Sequence, residues 1–195
     1  MRGRARPTVG GRGDTRLVNS DLPTAVVIVD VDGVVSAVHP EAPTWGDEAD
    51  VGRVFGPVLV SATLSARLNA LHALPGVECW WLTSWSSEMR AGMRDFPGRD
   101  WDAIAEPPTQ SGSRGWWKLN ALDDWLSARP DVKSIAWCDD HLRGGRPRMV
   151  RRVLAGREVK DLLLEAPRTN VGLTAEHLAR LEGWTATRAQ GASGA

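Results

Sequence analysis

The sequence predicts an α/β fold in which helices cover both faces of a parallel, Rossmann-like sheet. Strand-like and helix-like segments alternate along most of the 195 residues, as they do in chains built from β-α-β units. The first of these segments, residues 24–31, is dominated by β-branched residues, which is typical of a strand buried on both faces. Hydrophobic residues make up 42% of the chain and charged residues 25%, a composition that indicates a globular domain and excludes a fully disordered chain.

Hydrophobic spacing and capping residues predict the individual elements. For example, Leu64, Leu68 and Leu71 recur at helical spacing after Ser61, which is a suitable N-cap, and Pro75 follows as a stop. The predicted order is strand 24–31, helix 60–74, strand 77–82, helix 86–96, a short strand near 101–105, helix 116–128, strand 134–138, helix 146–155, strand 158–164 and helix 174–184.

We expect one domain over residues 21–186, with disordered tails over residues 1–20 and 187–195. The first tail is rich in Arg and Gly and lacks the apolar region of a secretory signal. Because no apolar run reaches the roughly 18 residues that a membrane helix needs, we expect a cytoplasmic protein without a membrane partner. Cys79 and Cys138 lie in separate apolar runs, so we expect both to be core residues rather than zinc ligands or a disulfide.

Two pairs of acidic residues follow predicted strands directly, and ligands of open parallel sheets bind beyond the carboxyl ends of the strands. Asp30 and Asp32 follow the first strand, and Gly33 then permits a sharp exit of the backbone. Asp139 and Asp140 follow a later strand, where adjacent like charges require a positive neighbour. Carboxylates of this kind suit Mg²⁺, and one of them could also attack phosphorus as a nucleophile.

Two further features suit a phosphate group. Thr83 and Ser84 follow the second strand, where hydroxyl and backbone N–H groups can bind phosphate oxygens. Lys118 lies in the first turn of a predicted helix, where a cation opposes the helix dipole and needs an anionic partner. Taken singly, these residues are better explained as a helix cap and a solvated lysine. The order acid pair, hydroxyl, lysine, acid pair is far more specific than any of its parts.

In this order the residues resemble the four motifs of the haloacid dehalogenase (HAD) superfamily of aspartate-dependent phosphohydrolases. Asp30-Val-Asp32-Gly33 is similar to the first motif, Thr83 to the second, Lys118 to the third and Asp139-Asp140 to the fourth. The resemblance covers about residues 24–185. The segments WLTSW, WK, WCDD and GLT also look like those of the small HAD domains that are grouped with "Swiss Army knife" RNA-repair proteins.

The resemblance implies a HAD-like fold and a Mg²⁺-dependent phosphatase that works through an aspartyl-phosphate. Asp30 would be the nucleophile, and Asp32 the general acid and base whose backbone carbonyl also binds the metal. Thr83, with Ser84, would bind a phosphoryl oxygen, and Lys118 would neutralise the nucleophile and the transferring group. The implied metal ligands are Asp30, Asp32, Asp139 and Asp140.

Nucleic-acid ends, of RNA or DNA, are one candidate substrate, because the spacing of the motifs leaves no room for a sizeable cap domain. A small-molecule phosphatase acting on nucleotides or sugar phosphates and a noncatalytic phosphate-binding module are the alternatives. Tryptophans beside the motifs are candidate substrate contacts, although a core position is the more frequent role of Trp; they are Trp45, Trp85, Trp116 and Trp117. Other candidates, with a surface role as the ordinary alternative, are His141, Arg143, Arg146, Arg148, Arg168 and Asn170.

Overall fold

The computed structural model describes residues 24–54, 56–109 and 115–193, so the predicted N-terminal tail lies outside the described residues. The elements in chain order are β1 (Thr24–Val29), β2 (Glu48–Arg53), β3 (Pro57–Ser61), α1 (Ala62–His72), β4 (Val77–Trp81), α2 (Ser87–Ala91), α3 (Trp117–Ser127), β5 (Val132–Cys138), α4 (Arg146–Ala155), β6 (Asp161–Glu165) and α5 (Ala175–Ser193).

Four strands form a parallel sheet in the order β4-β1-β5-β6, which confirms the predicted α/β class. Val27 and Val29 of β1 pack with residues of α1 and α5, while Val26 and Ile28 pack with residues of α3 and α4. Because successive side chains of a strand point to opposite faces, this division places helices on both faces of the sheet. The fold contains no sizeable cap domain in the described residues.

The register of the sheet brings the ends of three strands to one edge. Val29 pairs with Trp81 on one side and with Cys138 on the other. The pairing continues one step further, because the Asp30 N–H donates to the Cys138 carbonyl at 3.0 Å and the Leu82 N–H donates to the Val29 carbonyl at 3.1 Å. The residues that follow β1, β4 and β5 therefore begin at the same level.

The antiparallel pair β2-β3 lies where no strand was predicted, between strand 24–31 and strand 77–82. Only Val51 of β2 is buried, so the strand has no alternation that a pattern search recognises. Tertiary contact explains its formation and also explains why α2 ends at Ala91 rather than near Phe96. The Arg94 N–H donates to the Val51 carbonyl at 2.9 Å, so the chain after α2 pairs with the hairpin instead of continuing the helix.

Three smaller predictions also need correction. The short strand expected near residues 101–105 is reduced to a single bridge between Trp81 and Ala103, and β6 begins at Asp161 rather than at residue 158. Helix α5 continues to Ser193, so most of the segment predicted as a C-terminal tail is helical. Arg188 explains this extension, because it pairs with Asp161 of β6 and lies over the ring of Trp184.

Two composition-based expectations can be compared with the structure. Cys79 and Cys138 are buried and unbonded to each other, as predicted for core cysteines. Within the described part of the chain, no helix combines the length and the apolar character that crossing a bilayer would require. The expected cytoplasmic location stays a prediction.

Candidate active site

Three buried carboxylates meet at the edge of the sheet where β1 and β5 end. Asp30 follows β1, and Asp139 and Asp140 follow β5; their exposed fractions are 2%, 0% and 6%. One oxygen of each carboxylate and a ring nitrogen of His141 all lie within 4.8 Å of one another. The parallel register therefore joins two acid motifs that are more than 100 residues apart in the chain.

Lys118 supplies the positive charge that this group of carboxylates requires. Its Nζ donates to Asp30 Oδ2 at 2.5 Å and to Asp139 Oδ2 at 2.7 Å, and the residue is only 4% exposed. Lys118 lies in the first turn of α3, where a cation is unfavourable next to the positive end of the helix dipole. The carboxylates of Asp30 and Asp139 provide the negative charge that compensates for this position. Trp116 occupies the N-cap position without a side-chain hydrogen bond, which leaves no capping carboxylate to compete for the lysine.

Burial and the neighbouring charges set the ionisation of the group. Burial, opposed by the charge of Lys118 and reinforced by Asp139, raises the pKa of Asp30 from 3.8 to about 6. Burial also acts to raise the pKa of Asp139, but hydrogen bonding from His141 and the charge of Lys118 outweigh it and lower that pKa. Burial disfavours the ammonium form of Lys118, yet the charges of Asp30 and Asp139 raise its pKa. The cluster is thus a buried lysine between two acids, of which Asp30 has a raised pKa and Asp139 a lowered one.

Asp140 completes the group and has an oxygen available for a ligand. Thr169 Oγ1 donates to Asp140 Oδ2 at 2.5 Å, which fixes the carboxylate. His141 Nδ1 lies 2.7 Å from Asp140 Oδ1 but outside hydrogen-bond geometry, so Oδ1 is a buried oxygen without a hydrogen bond to the described residues. Buried polar atoms usually have a partner. Hard carboxylate oxygens with one unsatisfied atom fit Mg²⁺, and the residues that would hold it are Asp30, Asp139 and Asp140.

Asp32 lies apart from these potential ligands, although the motif analysis included it among them. Its carboxylate is not part of the group within 4.8 Å, and its Oδ2 accepts a hydrogen bond from Trp85 Nε1 at 2.9 Å. The backbone turns at Gly33 directly after it, with the Gly33 N–H donating to the Ser36 carbonyl at 2.7 Å. The Asp32 carboxylate is therefore placed differently from the potential metal ligands, and both its proton-exchange role and metal binding by its backbone carbonyl stay predictions.

Thr83 and Ser84 differ in their surroundings. Thr83 is buried, and its hydroxyl oxygen accepts from the Trp85 N–H at 3.2 Å, which leaves the hydroxyl proton for a further acceptor such as a phosphoryl oxygen. Ser84 is exposed. Thr83 follows Leu82, whose N–H pairs with β1 immediately before Asp30, so a phosphate-binding role suits Thr83 better than Ser84.

The tryptophans near the motifs are mostly engaged within the protein. Trp85 is 3% exposed and one face of its ring stacks on Phe96, but the residue also lines a cleft beside Asp32, so its role as a substrate contact stays a prediction. Trp116 stacks on Trp137 at 4.8 Å, and the Arg146 guanidinium also lies over its ring. Half-buried Trp45 donates from Nε1 to the Leu173 carbonyl at 2.8 Å, and half-buried Trp117 packs against the α3 and α4 core.

Thr169 is the residue that the sequence analysis missed. It lies between Arg168 and Asn170, which had been singled out instead, and its hydroxyl is the group that holds Asp140. Arg168 itself is exposed. Thr169 follows β6, so a rule that examined every hydroxyl after every strand would have included it. His141, for which a surface role had been the ordinary alternative, contacts both Asp139 and Asp140.

The arginines beside the fourth motif have different roles. Arg143 donates to the Pro167 carbonyl, and Arg146 donates to the His141 carbonyl at 3.1 Å while it lies over Trp116. Both therefore support the loop that carries Asp139 and Asp140. Arg148 is exposed on α4 and has no ion pair within the described residues.

Gly33 leads to a prediction about the integrity of the site. A Cβ at this position would lie 2.7 Å from Asp140 Oδ2 and 3.0 Å from the Thr169 Cα, and its φ of +70° strains any L side chain. We expect Gly33→Ala to lose stability in urea unfolding and to displace Asp140. Gly46→Ala is the matched control, because Gly46 has φ +80° and nothing within 4 Å of the added Cβ. The clash at Gly33 should add about 1–3 kcal/mol to the loss of unfolding free energy that the positive φ causes in both variants. Equal losses in the two variants would show that Asp140 moves away from the added methyl group at little cost.

Comparison with known proteins gives a fold but no sequence family. The chain is similar to the HAD domain of effector protein Lem4 from Legionella pneumophila, with a TM-score of 0.58 and 12% sequence identity, over 87% of this chain and 97% of that one. At this level of identity the likeness concerns the fold, and it confirms the HAD-like architecture predicted from the motifs. No protein-family model matches the sequence, and no curated protein matches it significantly. The similarity to the RNA-repair subgroup stays a prediction.

Proposed function

We propose that this chain is a Mg²⁺-dependent phosphomonoesterase in which Asp30 is transiently phosphorylated. The observation that carries the proposal is the buried arrangement of Lys118 between Asp30 and Asp139, with Asp140 beside them and Asp32 outside the group. A carboxylate nucleophile must approach an anionic phosphate, so positive charge has to be concentrated at the point of attack. The HAD-like fold supports the same chemistry by analogy.

In the first step, one oxygen of Asp30 attacks phosphorus and the bond from phosphorus to the leaving oxygen breaks. The Val31 N–H donates to Asp30 Oδ1 at 2.7 Å and Lys118 donates to Oδ2, so the carboxylate is held from both sides. Asp32 in its protonated form gives its proton to the leaving oxygen, which departs as an alcohol. Trp85 Nε1 holds Asp32 Oδ2, so the orientation of this acid does not depend on the substrate.

In the second step, Asp32, now ionised, takes a proton from water as the water oxygen attacks phosphorus. The bond from phosphorus to the Asp30 oxygen breaks, which releases inorganic phosphate and restores both carboxyl groups. Lys118 stays paired with Asp139 throughout and stabilises charge on the transferring group. The Thr83 hydroxyl, whose oxygen accepts from the Trp85 N–H, would donate its proton to a phosphoryl oxygen.

Asp30, Asp139 and Asp140, with the Asp32 backbone carbonyl, are the groups that would hold Mg²⁺. When bound, the ion would neutralise phosphate charge and polarise the phosphoryl oxygens. Asp140 Oδ1 has no hydrogen bond but lies 2.7 Å from His141 Nδ1, so the grouping of three carboxylates within 4.8 Å is the feature that favours an ion over a purely structural cluster.

Two substrate classes have support from the structure. Nucleic-acid ends are favoured by α4, where Arg148, Arg151 and Arg152 are exposed and have no ion pair within the described residues. Small phosphate esters are favoured by a cleft of about 590 Å³ beside Asp32 and Asp140. A noncatalytic phosphate-binding module would not require a proton-exchanging acid such as Asp32 next to the buried cluster.

Phosphate release from a set of esters tests the proposal. The set contains 3′- and 5′-phosphorylated oligonucleotides, nucleoside monophosphates and p-nitrophenyl phosphate, each with Mg²⁺ and with EDTA. We expect release from at least one ester with Mg²⁺, loss of activity with EDTA and recovery when Mg²⁺ is restored. Absence of release from every ester with Mg²⁺ would favour the noncatalytic module, and undiminished release in EDTA would exclude a metal role.

A further inference from the structure

A cleft beside the carboxylate cluster has walls of two different kinds. Its volume is about 590 Å³, which lies within the usual range for small-molecule sites. Apolar side chains of the β2-β3 hairpin and of the segment after Gly33 form one wall; they are Val38, Pro40, Val54, Pro57, Val58 and Leu59. The site residues Asp32, Trp85 and Asp140 also line the cleft. Because Asp32 is the acid proposed to protonate the leaving oxygen, the leaving group of a bound phosphate would lie in this cleft.

The carboxylates that line this cleft come from the candidate active site. Asp32 and Asp140 both line it, and no Lys or Arg lines it among the described residues. Ser36 and Thr169 are the neutral polar lining residues, and His39 and His141 are the other titratable ones. His141 is already next to Asp140, with its Nδ1 2.7 Å from Oδ1. With Mg²⁺ held by Asp140 and a proton on Asp32, a second anionic group on the substrate would lie against the apolar side chains of the cleft without a fixed cation to pair with it.

We propose that the substrate is a phosphate monoester of an uncharged alcohol with a substantial apolar or aromatic face, and that a second anionic group on the leaving moiety is rejected. This inference rests on the proposed phosphatase function and names the substrate class for the same site. Lys118, the buried cation of the cluster, pairs with Asp30 and Asp139 and does not line the cleft, so it serves the transferring phosphate and not the leaving group. An anionic group placed against apolar side chains in a partly desolvated site without a paired cation is strongly disfavoured.

The inference also separates small esters from nucleic-acid ends. An oligonucleotide would bring a phosphodiester close to the terminal phosphate, and the exposed arginines Arg148, Arg151 and Arg152 of α4 do not line the cleft to receive it. Polyanions that bind α4 would do so outside this cleft.

A matched pair of aryl phosphates tests the proposal. The two esters, 4-carbamoylphenyl phosphate and 4-carboxyphenyl phosphate, have nearly the same shape and differ by one negative charge. We expect kcat/KM for the carbamoyl ester to exceed that for the carboxyl ester by about tenfold or more. In Val54→Arg, which adds a cation to the cleft wall, this ratio should fall severalfold. In Val54→Gln, the polar control without charge, the ratio should stay as in the wild type.

Comparing ratios between variants removes differences in the chemistry of the two leaving groups. His39→Lys, with His39→Asn as its control, provides a second cation on the cleft if Val54→Arg does not fold, because His39 is exposed. Equal turnover of the two esters by the wild type, or greater turnover of a phosphorylated oligonucleotide than of the carbamoyl ester, would overturn the inference and leave the phosphatase proposal intact. No turnover of any ester, p-nitrophenyl phosphate included, would overturn both.

Discussion

Asp30→Asn is expected to lower phosphate release by at least about a thousandfold, because the variant removes the atom that forms the bond to phosphorus. The amide side chain of the variant would keep an oxygen for the Val31 N–H, so the local backbone should stay in place. The Asp139 and Asp140 positions do not depend on the nucleophile, since Lys118 and Thr169 hold them. The loss should therefore appear in kcat without unfolding.

The same variant has a pH-dependent effect on stability in metal-free protein. Burial raises the pKa of folded Asp30 to about 6, above its value of 3.8 in an unfolded chain. Between these values the folded state binds more protons than the unfolded state, so this residue lowers stability as pH rises through that window. Asp30→Asn has no such titration. In EDTA, the free energy of unfolding of the variant minus that of the wild type should therefore be larger, in the direction of a more stable variant, at pH 8 than at pH 5.

Asp124→Asn is the matched control, because Asp124 is an exposed carboxylate on α3 away from the cluster. It should keep the activity of the wild type, and its stability difference between pH 5 and pH 8 is the baseline with which that of Asp30→Asn is compared. If Asp30→Asn retains substantial activity, the assignment of the nucleophile is wrong. If its stability difference from wild type does not change between the two pH values, Asp30 is not a buried acid with a raised pKa.

Most of the parallel sheet was predictable because its strands are buried, and buried strands are rich in apolar and β-branched residues. The β-branched run of β1 and the acids that follow it indicate a strand end at a ligand site without any knowledge of the rest of the chain. The helices α1, α3 and α4 have hydrophobic spacing or clear stops, and their observed bounds lie within about two residues of prediction. Parallel pairing then joins Asp30 to Asp139 through a register that the motifs alone could only suggest.

What the sequence could not predict depends on contacts between distant segments. Strand β2 has one buried residue, and its place is set by pairing with β3 and by the Arg94 N–H. Thr169 matters only because the loop after β6 returns to Asp140, which no local pattern encodes. The separation of Asp32 from the other carboxylates arises because the chain turns at Val31, whose carbonyl accepts from three following N–H groups, so Asp30 and Asp32 no longer lie along one strand. The apolar wall of the cleft exists only because the hairpin forms.

Lys118→Met is expected to destabilise metal-free protein by about 3–5 kcal/mol, the usual cost of removing one partner from a buried charge pair. Methionine fills a similar volume, so the loss would come from charge rather than from a cavity. Asp30 and Asp139 would face each other with Asp140 within a few ångströms and without the cation that now bridges them. Urea unfolding at pH 8 in EDTA measures this loss, and phosphate release should fall as well, since the transferring group loses its fixed positive charge.

Mg²⁺ should restore part of that stability, because the three carboxylates then have a cation again and an ion that binds only the folded state stabilises it. Lys133→Met is the matched control: Lys133 is half-buried on β5 and pairs with the exposed Glu158 at 3.0 Å, so its loss should cost at most about 1 kcal/mol and should not respond to Mg²⁺. Similar losses of unfolding free energy in the two lysine variants would mean that repulsion among Asp30, Asp139 and Asp140 costs little stability. A loss in Lys118→Met that Mg²⁺ leaves unchanged would show that Asp30, Asp139 and Asp140 do not form a metal site, and Lys118 would then be a structural ion-pair partner alone.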